Sequence, residues 1–72
     1  MEIILRVREV TIFRNDGYKT FVVGEKHKMH DGIVEWIDID SRIKTITIQF
    51  KGEKESENYK LFYSGLPFSA RK

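Results

Sequence analysis

The chain contains no cysteine and a single proline, Pro67. Without cysteine no disulfide can staple the fold, and such a composition suits a reducing compartment, so a cytoplasmic setting is expected. No apolar run approaches the roughly 18 residues that a membrane span needs, so no membrane partner is expected. Met1 and Glu2 lead straight into a strand-like run instead of a signal peptide. Helical periodicity is also missing, so no helix of useful length is expected. Nor is there a block of charge of one sign: 13 Lys and Arg stand against 11 Asp and Glu, interspersed along the chain. Two spare positive charges are a weak attraction for nucleic acid. Seventy-two residues make one small domain, 1–72, and a chain of about 60 residues buries only roughly 60% of its extended surface. Self-association is one way to supplement so small a core.

What the sequence does have is alternation. From Gly32 to Phe50 two β-branched arms flank a short polar turn. Ile46, Ile48 and Phe50 alternate with Thr45, Thr47 and Gln49, the period of a strand with one buried face. In the other arm Ile33, Ile37 and Ile39 share one side, and Val34, Trp36, Asp38 and Asp40 the other. A two-residue Ser41–Arg42 turn would set Ile37 opposite Ile46, Glu35 opposite Ile48 and Ile33 opposite Phe50, with Glu35 the misfit. A longer loop over Asp40 to Ile43 is the alternative.

The first strand opens with Ile3, Leu5 and Val7 inward. After Glu9 the parity flips to Val10 and Ile12, which predicts a β-bulge that bends the strand; a strand buried on both faces is the other reading. Asn15-Asp16-Gly17 is a turn by its chemistry. With Asp16 and Gly17 as its loop, Val10 faces Val23 and Ile12 faces Phe21, leaving Phe13, Thr11, Thr20 and Val22 on the opposite side. Glu25 to Asp31 lies between two glycines and reads as the longest loop, where binding concentrates. Tyr59, Leu61 and Tyr63 mark a fifth strand, Leu66-Pro67-Phe68 a short plug, and 69–72 a frayed tail.

The expected fold is therefore all-β: a small five-stranded barrel or a strongly curved antiparallel sheet with a bulged first strand. The pattern of Gly32-Ile33-Val34, a tight turn and Ile46-Thr47-Ile48-Gln49-Phe50 resembles the hairpins of SH3-like and Tudor-like barrels over about a quarter of the chain. That resemblance implies an SH3-like barrel and bears on fold, since such barrels host many roles.

Candidates for chemistry are few. His27 and His30 with Asp31 could supply three metal ligands, but their spacing in an extended segment sends the side chains opposite ways, and Lys26 and Lys28 repel a cation. Two exposed loop histidines, with a modest pH response, are the plainer expectation. No serine sits in a nucleophile elbow. Asp38 and Asp40 share a strand face and read as solubilising groups. No cofactor and no catalysis are expected.

Binding fits better. Trp36 either covers a second small core or anchors an interface, a role in which Trp is enriched. Phe13, Tyr63 and Phe68 are the other candidate anchors. For nucleic acid, Arg6 and Arg8 on the first strand with Arg14, Lys19, Lys26 and Lys28 could form a stripe beside Tyr18. The leading expectation is a protein-binding module, self-association included. Nucleic-acid binding comes second, and a small virus-type protein that sequesters a ligand or inhibits a host factor comes third.

Overall fold

The computed structural model describes residues 4–72, so the expectation for Ile3 lies outside the described residues. The elements are β1 (Ile4–Val7), β2 (Glu9–Arg14), β3 (Gly17–Val22), β4 (Lys26–His27), β5 (Gly32–Asp40), β6 (Thr45–Phe50), a 3-10 turn (Glu55–Glu57), β7 (Tyr59–Phe62) and β8 (Phe68–Arg71). The strands form two antiparallel sheets. One runs β1-β5-β6-β7 with β4 against the start of β5, and the other runs β3-β2-β8. The all-β class is as the alternation predicts, but eight strands in two sheets stand where five in one were expected. The sheets pack face to face without a strand ladder that closes them into a barrel.

The parity flip near Glu9 is the corner between the sheets. Val7 and Val10 are both buried, with two residues between them where strict alternation would give one or three. Arg8 sits at the bend, where its N–H donates to the Arg71 carbonyl (2.7 Å) and its carbonyl accepts from the Val23 N–H (2.9 Å). The bend is thus tied to both flanking chains. Leu5 stays partly exposed at the edge of its sheet instead of entering the core.

The central hairpin forms with a different register. Ser41 to Lys44 make a four-residue turn, with Lys44 at φ 54°, and Ile37 pairs with Ile48 and Ile39 with Ile46. Glu35 has no partner: it is the extra residue of a bulge between the pairs Val34–Phe50 and Trp36–Gln49. A carboxylate that would have faced the core is expelled to solvent, and the parity change sends Val34 inward and Ile33 outward. The β2–β3 turn lies one residue earlier than its Asp-Gly chemistry suggests. Asn15 and Asp16 form it, and Val10 pairs with Phe21 instead of Val23. The shift of two leaves Val10, Ile12 and Phe21 on the buried face, since side chains repeat every two residues.

The chain from Phe68 onward is neither plug nor frayed tail. Phe68 to Arg71 form β8, paired to β2 with Ile12 opposite Phe68 and Val10 opposite Ala70. Pro67 lies just before this edge strand, and its carbonyl accepts from the Phe13 N–H at 3.1 Å. Its missing N–H breaks no central ladder there. The core fills the space between the sheets, and β6 is its centre: Ile46, Ile48 and Phe50 are at most 2% exposed. On the other face of β6, Gln49 is buried too, its amide N–H donating to the carbonyls of Phe50 (3.1 Å) and Glu53 (2.7 Å).

Candidate binding groove around Trp36

After the Glu35 bulge Trp36 lies half-buried beside the corner at Arg8. Arg6 stands on the neighbouring strand, where it pairs with Asp38. Its Nε donates to Asp38 Oδ1 at 2.7 Å and its Nη2 to Oδ2 at 3.1 Å. Those hydrogen bonds raise the pKa of the guanidinium above its ordinary value, so it stays charged. This fork holds the guanidinium carbon 4.7 Å from the Trp36 ring centroid, a cation–π stack. The position is set by backbone pairing and a planar carboxylate, not by a free surface rotamer.

Next to this stack runs a groove of about 280 Å³, lined by Arg6, Val7, Arg8, Val23, Glu35, Trp36 and Lys72. Val7 and Val23 supply its apolar lining together with Trp36, and Arg6, Arg8, Glu35 and Lys72 its charged groups. Arg6 is committed to Asp38, whereas Arg8 and Lys72 make no salt bridge among the described residues. Its volume lies at the low end of the roughly 300–1,000 Å³ of small-molecule sites. No protein family, curated protein or solved structure matches this chain.

The other candidate residues fall in three places. Tyr63 is buried, and its ring centroid lies 4.7 Å from that of Phe68, which packs against the core. Tyr63 is thus largely committed to the core, while Phe68 is half-buried, and both line a second hollow with Ile4, Leu5 and Ile39, apart from Trp36. Phe13 is exposed on β2, with its ring 6.4 Å from exposed Tyr18, and does not line the Trp36 groove. Of the cation stripe, only Arg6 and Arg8 line the Trp36 groove. Arg14, Lys19, Lys26 and Lys28 gather instead around Tyr18 and Met29, with Lys26 paired to Asp31 at 2.8 Å. The single stripe is therefore two separate clusters.

The histidines also differ from expectation. Lys26 and His27 form β4 by pairing with Ile33 and Gly32, and the turn between them brings the two imidazoles to 5.1 Å. They converge instead of pointing apart, and each packs on core aromatics. Among the described residues no three potential metal ligands come together. Asp38 is engaged by Arg6, and Asp40 Oδ1 accepts the Arg42 N–H at 3.0 Å, so neither carboxylate is placed as a free acid or base. Lys72 and Val23 were not legible as groove residues. Only the corner at Arg8 and the β2–β8 pairing bring them beside Trp36, and no local pattern records either.

Proposed function

We propose that this chain is a non-catalytic protein-binding module that holds its partner at the Trp36 groove. One observation carries the reading: a half-buried Trp, fixed under Arg6 by Asp38, borders an apolar floor with two uncommitted cations at the rim. A segment presenting an aliphatic side chain to Val7 and Val23 and a carboxylate to Arg8 or Lys72 complements that arrangement.

Selection from a displayed random peptide library, followed by titration of the chosen peptides, tests this. Trp36 is the only tryptophan, so its emission reports occupancy of the groove directly. Acidic–aliphatic peptides should emerge, and Trp36→Ala should weaken them by roughly tenfold or more, the scale of an interface anchor worth about 1–2 kcal/mol. Arg8→Glu, which leaves the ring in place, should do the same. Peptides that bind both folded variants as well as the parent would sink the reading.

A second reading rests on the same cations, since Arg8 and Lys72 beside an aromatic face also suit a nucleic-acid strand. Anisotropy with single-stranded and duplex oligonucleotides at about 50 and about 200 mM salt separates the two, because phosphate contacts weaken steeply over that interval.

A further inference from the structure

We propose that His27 and His30 form an acid-released latch that holds β4 and its turn over the open side of the sandwich, away from the Trp36 groove. β3 and β7 are the outer strands of their sheets on this side and share no ladder. What spans them is a set of rings. Phe21 of β3 and Tyr59 of β7 lie 5.9 Å apart, and His30 reaches 4.4 Å from Tyr59 and 5.1 Å from Phe50. His27 stacks on Phe21 at 4.2 Å, with the planes 12° apart. The turn has no apolar side chain in the core, so its docking rests on these two imidazoles and a few backbone hydrogen bonds. Among those bonds, the Gly24 N–H donates to the Val34 carbonyl and the Asp31 N–H to the His27 carbonyl.

Docking in this form requires a neutral His27 ring. The Met29 N–H donates to His27 Nδ1 at 3.3 Å, so that nitrogen must carry no proton. His30 Nε2 is buried without a hydrogen-bond partner. The surrounding groups give a second proton no welcome. From β3 the charged neighbour is Lys19, whose Nζ stands 5.9 Å from the Tyr59 ring centroid. On β7 it is Tyr59 that packs against His30, with exposed Lys60 next to it in the strand, and β6 carries no titratable side chain. On the turn itself Asp31 is tied to Lys26, and Lys28 and Glu25 border the outer side. Neither imidazole has a hydrogen bond to a carboxylate among the described residues. Burial, then His30, then Lys19 lower the pKa of His27 below its ordinary value.

The linkage follows from that direction. A histidine with a depressed folded pKa leaves the folded state binding fewer protons than the unfolded one. Its contribution is then complete above the ordinary histidine pKa of about 6.5 and is lost as pH falls through the folded value. Loss of the latch frees the turn while β6, which has no titrating group in its core face, stays paired.

The test is NMR on the intact chain between about pH 7.5 and about pH 4.5. The imidazole resonances report protonation, and amide exchange of Gly24, Asp31 and Ile48 reports opening. Exchange at Gly24 and Asp31, corrected for its intrinsic pH dependence, should accelerate by roughly tenfold or more as His27 titrates, with Ile48 unchanged. A His27→Phe, His30→Phe double variant should keep the turn protected in acid. Equal protection of Gly24 and Asp31 across the titration in the parent would overturn the proposal, and so would the same acid opening in the double variant. If that variant fails to fold, the parent titration alone decides.

Discussion

Gly32 offers a sharp test of the packing between the central hairpin and its neighbours. Its φ lies outside the left-handed region, so alanine suits its backbone, but an added Cβ would meet Phe50 Cδ1 at 3.2 Å and Phe50 Cβ at 3.4 Å. Phe50 is 2% exposed, and its ring also carries His30 at 5.1 Å, so it has little room to retreat. Replacing glycine restricts the unfolded chain and by itself stabilises by about 0.4–1 kcal/mol. Overpacking a well-filled core costs about 1–3 kcal/mol. The steric effect wins, and Gly32→Ala should destabilise by about 1–2 kcal/mol. Against a total stability on the order of 4–11 kcal/mol for a chain this long, the protein still folds. At about 4–8 °C per kcal/mol the melting temperature should drop by about 5–15 °C. Urea denaturation followed by Trp36 emission measures the change. A second arm isolates the cause: Phe50→Leu trims the atoms in the way, so the double variant should be more stable than the sum of the singles by about 0.5 kcal/mol or more. A neutral or stabilising Gly32→Ala, or strict additivity, would show that the Gly32–Phe50 contact is not as described.

The bulge at Glu35 predicts unequal neighbours: Ile33→Thr should change stability by no more than about 0.5 kcal/mol, whereas Val34→Thr, which buries a hydroxyl, should cost about 1–3 kcal/mol. Regular alternation predicts the reverse order, and urea midpoints of the two variants decide. Gln49→Glu keeps the shape but replaces two donated hydrogen bonds with a carboxylate facing the carbonyls of Phe50 and Glu53; it should cost about 3–5 kcal/mol at pH 7. Part of that should return in acid, where the neutral carboxyl can donate once, and a variant as stable at pH 7 as the parent would refute the burial of this amide.

The class of the fold was legible because β-branched residues alternate over Gly32 to Phe50 and over Val10 to Ile12, and burial on one face allows no other period. The registers were not. They depend on where each turn sits and how many residues it consumes, and neither Ser41-Arg42-Ile43-Lys44 nor Asn15-Asp16-Gly17 fixes both by composition. β8 was missed because Phe68-Ser69-Ala70-Arg71 lacks β-branched residues and owes its strand to pairing with β2. β4 is two residues long, below any periodic signal. The meeting of His27 and His30 needs the tight turn that ends at Asp31, with φ 53°, a conformation that an Asp permits without announcing. Arg6, Arg8 and Trp36 could each be singled out from the sequence. Their assembly with Val23 and Lys72 could not, because it joins segments from both ends of the chain.

The two places where alternation breaks bear on function together. Arg8 stands at the corner and Glu35 at the bulge, and both border the Trp36 groove. A regular first strand would have carried β1 and β2 in one sheet, leaving no bend for Arg8 to mark and no seam between sheets for Val7 and Val23 to floor. A regular β5 would have turned Glu35 toward Phe50 and the core, and Val34 outward beside Trp36. Each irregularity thus keeps an ionic residue at the groove's edge and a valine beneath or behind it. Bulges gather at sheet edges and next to sites because they re-aim side chains, and local rules tend to fail where function has a claim on the chain. Two independent departures from period two that meet at one half-buried tryptophan are the strongest reason to look for the partner there.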